Sequence, residues 1–152
     1  MRLCLSLTFA AIVLAACGSR HPPAPIVDGA GLVAPAVEAA VKACRGSNIA
    51  MPGWRRPKHG VLCFNGQIFA HHDEDLRRIA ADGDRLVVVT SQGGDNTAAL
   101  GVAEHLADRG YTIVVDRYCL SACANFWFLA AREKIVLRDS IVAWHGTFTR
   151  SR

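Results

Sequence analysis

A serine, a histidine and two glycines are the residues of this chain whose types and positions suit a chemical reaction. Ser121 lies in the stretch DRYCLSACANFWFLA, residues 116–130, where its nearest neighbours are small. A serine hydroxyl attacks a carbonyl when a nearby base removes its proton, and imidazole is the usual base near neutral pH. His145 is the only histidine after Ser121. Gly93 and Gly94 let the backbone come close to a ligand and point its amides at it.

Each of these residues also has an ordinary structural role. A serine at a helix start usually caps a backbone amide, although a capping box needs Glu or Gln three residues later, where this chain has Ala124. Paired glycines often serve only a tight turn, and a lone histidine at a strand end is commonly structural. The helix amino terminus would nevertheless stabilise negative charge on Ser121. The residues alone leave both interpretations open.

Strands and helices alternate around these residues. β-Branched and apolar runs predict strands, and amphipathic or capped runs predict helices. The predicted strands are 61–68, 85–91, 111–116, 134–137 and 141–145. The predicted helices are 34–46, 73–83, 96–110 and 120–131, with 47–60 as a loop and 90–96 as a glycine-containing turn. Asn96 is the predicted cap of its helix and Gly110 the predicted stop.

This alternation predicts one α/β domain with a mostly parallel sheet and flanking helices. The chain has 152 residues and 51% apolar content, enough for one core. The formal net charge of +4 is scattered, which disfavours nucleic-acid binding. The densest basic cluster, residues 55–58, is predicted to be a solvated loop. The reactive residues fall at element ends, where α/β proteins place their sites.

The amino terminus has the layout of an export signal. One basic residue precedes an apolar run, and Leu14-Ala15-Ala16-Cys17 resembles a bacterial lipobox. This motif implies cleavage after residue 16, acylation of Cys17 (palmitate among the chains) and attachment to a membrane. Gly18 after the cysteine favours the periplasmic face of the outer membrane. Residues 17–34 are predicted to be a flexible tether and residues 35–152 the domain.

Four further cysteines follow the predicted lipid anchor: Cys44, Cys63, Cys119 and Cys123. In an oxidising compartment they can pair in three ways, and a Cys119–Cys123 bridge would rigidify the serine turn. Their spacing does not suit zinc. The adjacent histidines 71 and 72 begin a helix and point in different directions, so we predict neither a metal nor another cofactor.

The order Gly93-Gly94, Ser121 at a helix start and His145 at a strand end resembles the ClpP/crotonase superfamily. It is most similar to the exported ClpP-class branch, in which C-x-S-A-C surrounds the serine, here C-L-S-A-C from Cys119. The separation of 24 residues between serine and histidine is close to that of Clp peptidases. The resemblance covers about residues 59–147 and implies the ββα-superhelix type of α/β fold.

The resemblance also implies roles for these residues. Ser121 would be the nucleophile and His145 the general base, with the amides of Gly94 and Ala122 as the oxyanion hole. The strand next to Gly93 would bind a peptide or protein substrate through backbone hydrogen bonds. A second copy of the chain, in a homo-oligomer, is a further expected partner.

The third residue of the triad is where the chain departs from the family. Clp peptidases take an aspartate from well beyond the histidine, whereas this sequence ends at Arg152. Asp139 precedes His145 and is predicted to be a turn residue. We therefore expect a domain incomplete at its carboxyl terminus, either a fragment of a longer chain or a shortened relative without catalysis.

Two other functions remain as alternatives. A non-catalytic lipoprotein could hold a peptide or an acyl group in the same groove. A dinucleotide-binding domain is a third interpretation, because strand, glycine turn, helix and Asp116 resemble half of a Rossmann fold. The turn lacks G-x-G-x-x-G, which ranks this interpretation last.

Overall fold

The computed structural model describes residues 34–46 and 52–146. The predicted signal peptide (1–16), the lipidation site Cys17 and all but the last residue of the tether (17–34) lie outside the described residues, so these stay predictions. Within the described ranges, no helix has both the length and the apolar character needed to cross a membrane.

The described residues form one mixed, mostly parallel sheet of six strands. β1 (Gly53–Lys58) pairs antiparallel with β2 (Val61–Ile68) at one edge. β3 (Leu86–Gly94) and β4 (Thr112–Leu120) follow in parallel. The far side of β4 pairs with two short parallel strands placed end to end, β5 (Glu133–Val136) and then β6 (Ile141–Ala143). The predicted α/β class with a mostly parallel sheet is confirmed.

Helices cover both faces of this sheet. α1 (Pro35–Gly46) packs on one face, over a small core of Val37, Ala40, Val41, Cys44, Val61, Cys63, Val88 and Val114. The other face carries α2 (His72–Ile79), α3 (Asn96–Arg109) and a π-helical segment, α4 (Cys123–Phe128). The main core lies there, around the fully buried Phe64 and Trp127. As its apolar composition predicts, α4 is central.

The segment predicted to be a loop before residue 60 contains β1 instead. The charged sequence GWRRPK does not have the apolar pattern of a strand, because Trp54 is its only buried apolar residue. Backbone pairing with β2 decides the conformation, and the register shifts between Arg55 and Lys58, around a proline that has no N–H to donate. The basic cluster is not simply solvated either, since Arg56 forms a 2.8 Å ion pair with the buried carboxylate of Asp84.

The ends of three other elements differ from prediction. The cap of α3 is Asp95 rather than Asn96, because the Asp95 carboxylate accepts from the Ala98 amide at 2.8 Å. The predicted stop at Gly110 is confirmed, with a left-handed φ of 64°. β3 continues to Gly94, three residues past its predicted end, and β4 continues to Leu120.

Two buried histidines make the stability of the fold depend on pH. Burial, and then repulsion from His71, lowers the pKa of His72. Burial, and then the positive charges of nearby arginines, lowers the pKa of His105, whose buried Nε2 has no hydrogen-bond partner among the described residues. The folded chain therefore binds protons at both rings less readily than the unfolded chain, whose histidines take up protons at about pH 6.5.

We expect the free energy of unfolding to fall as the pH drops below about 6.5. Urea unfolding at pH 7.5 and 5.5 measures this slope. His105→Phe should flatten it, because that substitution removes one of the two groups that bind protons only when unfolded. His59→Gln, at an exposed histidine, is the matched control and should retain the wild-type slope. An unfolding free energy equal at both pH values would contradict the prediction.

Candidate functional site

Ser121 occupies a sharp turn between β4 and α4 with a left-handed backbone, φ 54°. This conformation costs a residue with a side chain roughly 1–2 kcal/mol. Strained positions of this kind cluster at functional sites, and a strand-to-helix turn is a known way of presenting a serine hydroxyl at the end of a sheet. The side chain is half-buried.

The Ser121 hydroxyl does not cap the following helix. Among the described residues it neither donates nor accepts a hydrogen bond, and α4 has no side-chain cap. The backbone holds the turn instead, because the Ser121 carbonyl accepts from the Asn125 amide at 2.7 Å. The structure therefore leaves the hydroxyl available, contrary to the capping interpretation.

A disulfide between Cys119 and Cys123 spans the serine turn. Both cysteines are fully buried in the main core, so the bridge fixes the chain two residues before and two residues after Ser121. α4 begins at Cys123, the second cysteine of this bridge. π-Helical turns are rare and frequently occur at functional sites.

The double glycine lies in direct contact with the serine turn. A Cβ added at Gly93 would lie 2.8 Å from the Ala122 nitrogen and 2.8 Å from the Ser121 Cβ. A Cβ added at Gly94 would lie 2.2 Å from the Ile68 carbonyl oxygen on the other side. The glycines therefore end strand β3 rather than forming the predicted turn, and they are required because backbones approach from both sides.

The Gly93 amide donates to the Ser91 hydroxyl at 3.1 Å, so it is already satisfied. This agrees with the predicted roles, in which the amides of Gly94 and Ala122 form the oxyanion hole and Gly93 serves only in substrate binding. The contact between Gly93 and Ala122 brings the two backbone segments of that assignment together.

β6 carries His145 towards the serine turn. The Ser121 amide donates to the Ala143 carbonyl at 3.0 Å, so the strand ends directly beside Ser121. His145 lies two residues past the end of the strand, not in it as predicted, and it is exposed. Its carbonyl accepts from the Asn125 side-chain amide at 3.2 Å.

Ser121 and His145 are brought to the same end of the sheet, but the described residues show no hydrogen bond between their side chains. Such bonds often form only in the complex with substrate. Among the residues that the structure describes, no carboxylate pairs with the imidazole of His145. Asp139 is exposed in the turn between β5 and β6, with φ 64°, in agreement with its predicted turn role.

Asn125 was not among the predicted site residues. It follows Ser121 by four positions and is a polar amide in the otherwise apolar run ACANFWF. A polar residue in such a run is the feature of the sequence that could have indicated its role. Its side chain links α4 to the segment that carries His145.

The other described cysteines and the adjacent histidines 71 and 72 belong to other parts of the fold. Cys44 and Cys63 form the second disulfide, between α1 and β2, which selects one of the three pairings left open. The side chains of His71, His72 and Asp75 bring potential metal ligands within 4.8 Å of one another. However, the His72 Nδ1 atom already accepts from the Phe69 amide at 3.0 Å. This cluster therefore does not change the prediction of no metal.

A comparison of the chain with models of protein families, with curated proteins and with solved structures finds no match.

Proposed function

We propose that this chain is an exported, membrane-tethered serine peptidase-like hydrolase of the ClpP/crotonase type. The observation that carries the proposal is the strained turn at Ser121, whose hydroxyl has no hydrogen bond among the described residues and whose backbone touches the double glycine. Glycine would adopt the same φ without strain. A requirement for the hydroxyl would account for a serine at this position.

In the proposed reaction Ser121 attacks the carbonyl carbon of a peptide bond. His145 accepts the hydroxyl proton and later donates it to the leaving amine. The amides of Gly94 and Ala122 donate to the oxygen that becomes negative, a contribution of about 3 kcal/mol for each donor in comparable sites. Asn125 positions the backbone of His145 beside the turn.

The strand pairing supports a peptide as the substrate. β3 pairs with β4 only as far as Ser91, although it continues to pair with β2 through Gly94. Beyond Ser91, the β4 side of residues 92–94 therefore faces the serine turn, which contacts Gly93, and not a paired strand. An extended peptide that binds beside this segment through backbone hydrogen bonds would have its carbonyls next to Ser121.

Export is supported by the amino-terminal motif and by the disulfides. Two disulfides within one small domain are typical of an oxidising compartment. Together with the lipobox-like Cys17, they favour attachment to the periplasmic face of the outer membrane.

A fluorophosphonate probe tests the proposal directly. We expect covalent labelling of the folded, full chain, loss of labelling in Ser121→Ala, and labelling slowed about 100-fold or more in His145→Gln. Ser140→Ala is the matched control and should label normally, because Ser140 lies in the β5–β6 turn. An unlabelled wild type, or a labelled Ser121→Ala variant, would refute the serine nucleophile.

A non-catalytic binding function is the second candidate. The exposed imidazole of His145, without a carboxylate partner in the described residues, favours it. In that case a peptide or acyl ligand should bind wild type and Ser121→Ala equally, and wild type should not hydrolyse it.

A further inference from the structure

A second potential binding site lies on the opposite face of the sheet, beside the end of α1. It is a cavity of about 20 Å³, formed where β2, β3 and β4 approach their carboxyl ends. Three arginines and one carboxylate line it, together with neutral side chains of the strands: Arg45, Arg55, Arg117, Asp116, Asn65 and Thr90.

Arg55 supplies buried donors that nothing in the described chain satisfies. Its Nε and Nη2 atoms are buried and have no hydrogen-bond partner there. β1 fixes its position, because the Arg55 Cα pairs with that of Cys63. Burial lowers the pKa of the guanidinium. Buried donors without a partner are rare in folded proteins.

The other charged groups around the cavity already have partners. The Arg45 guanidinium binds the Asp116 carboxylate through two hydrogen bonds, 2.9 Å and 2.5 Å long. The Arg117 Nη2 atom donates to the Asn65 side-chain oxygen at 3.2 Å. Since Asp116 is engaged by Arg45, it does not neutralise Arg55. The cavity thus has three guanidiniums against one carboxylate, with its unpaired donors on Arg55.

We propose that this cavity binds a carboxylate group, with Arg55 as its main ligand. A cavity of this size holds about one water, so one oxygen of a carboxylate can enter while the rest of the ligand stays at the mouth. The planar guanidinium can direct both of its unpaired donors, Nε and Nη2, at the carboxylate. Arg45 and Arg117 are more exposed and add positive charge at the mouth. The site is separate from Ser121 and does not depend on the proposed hydrolase activity.

Thermal unfolding of the full chain tests the site, with acetate as the probe and chloride and inorganic phosphate at equal ionic strength as comparisons. A ligand that binds only the folded state raises the unfolding temperature with concentration. We expect acetate to raise it more than chloride or phosphate does. Arg55→Met should weaken the apparent acetate affinity about tenfold or more, which corresponds to about 1.4 kcal/mol.

Two further variants serve as controls. Lys58→Met removes a positive charge from the same strand, outside the cavity, and should keep the wild-type response. Arg55→Lys keeps the charge without the planar fork and should respond more weakly than wild type. An acetate effect no larger than that of chloride, or an equal effect in Arg55→Met, would overturn the proposal.

Trialanine and its carboxyl-terminal amide distinguish the source of the carboxylate. Stabilisation by trialanine at lower concentrations than acetate, with none by the amide, would identify a peptide terminus. Equal effects of acetate and trialanine would identify a free carboxylate, and both results support the site. Failure of fluorophosphonate labelling at Ser121 would leave this test unaffected.

Discussion

Gly93→Ala is expected to abolish fluorophosphonate labelling of Ser121 and to lower the free energy of unfolding by about 3 kcal/mol or more. The added methyl group would lie 2.6 Å from the Leu120 carbonyl oxygen and 2.8 Å from both the Ala122 nitrogen and the Ser121 Cβ. All three contacts are with the chain of the serine turn, so either β3 or the turn must move. The φ of 86° at Gly93 adds strain that no side-chain rearrangement relieves.

Two other glycines make the result interpretable. Gly94→Ala should destabilise the fold through a different contact, since its methyl group would meet the Ile68 carbonyl of β2 rather than the serine turn. Gly46→Ala has no atom within 4 Å of its added Cβ and should neither destabilise the fold nor change labelling. Urea unfolding and the labelling rate are the two measurements. A Gly93→Ala variant that labels at the wild-type rate would contradict the close contact between the double glycine and the nucleophile turn.

The central strands were the most predictable part of the fold. β2 occupies residues 61–68, as its apolar and β-branched sequence predicts. Its prediction succeeds because this strand is buried between neighbouring strands, and a buried strand is rich in apolar and β-branched residues. β1 was missed for the opposite reason: an edge strand with one buried aromatic residue depends on backbone pairing, which its charged sequence does not show.

The candidate site was predictable in its residues but not in its geometry. The pattern of Ser121 and His145 indicates a nucleophile and a base, yet the left-handed φ of Ser121 follows from the packing of β3 and β6 around it. Gly93 and Gly94 were interpreted as a turn because paired glycines usually form one. Only the coordinates of Ile68 and Ala122 show that close contact, rather than turn geometry, requires them.

The features that could not be predicted depend on interactions between residues far apart in the sequence. The charge pairing beside the Arg55 cavity depends on α1, since the helix brings Arg45 to Asp116, 71 positions away in the chain. The link from Asn125 to His145 likewise depends on β6 lying alongside β4. Neither pattern has a local periodicity from which it could be inferred.

Removal of the Cys44–Cys63 disulfide is expected to lower the free energy of unfolding by about 3 kcal/mol. The bridge closes a loop of 19 residues and joins α1 to β2. α1 alone supplies the helical cover on its face of the described sheet, over a small core that contains Val88 and Val114. Without the bridge, the helix would be held by this core and by the ion pair of the largely exposed Arg45 with Asp116, and exposed ion pairs contribute little.

The double variant Cys119→Ala/Cys123→Ala is the matched comparison, because it also removes two buried sulfurs. Its bridge closes a loop of only four positions, so the entropic loss should be smaller, near 2 kcal/mol. We expect the two variants to differ in the hydrogen exchange of α1 and in the labelling rate of Ser121. Loss of Cys44–Cys63 should increase hydrogen exchange in α1 and leave the labelling rate of Ser121 unchanged, whereas loss of Cys119–Cys123 should slow labelling because the serine turn is no longer fixed. Unchanged hydrogen exchange in α1 without its bridge would show that apolar packing alone holds the helix on the sheet.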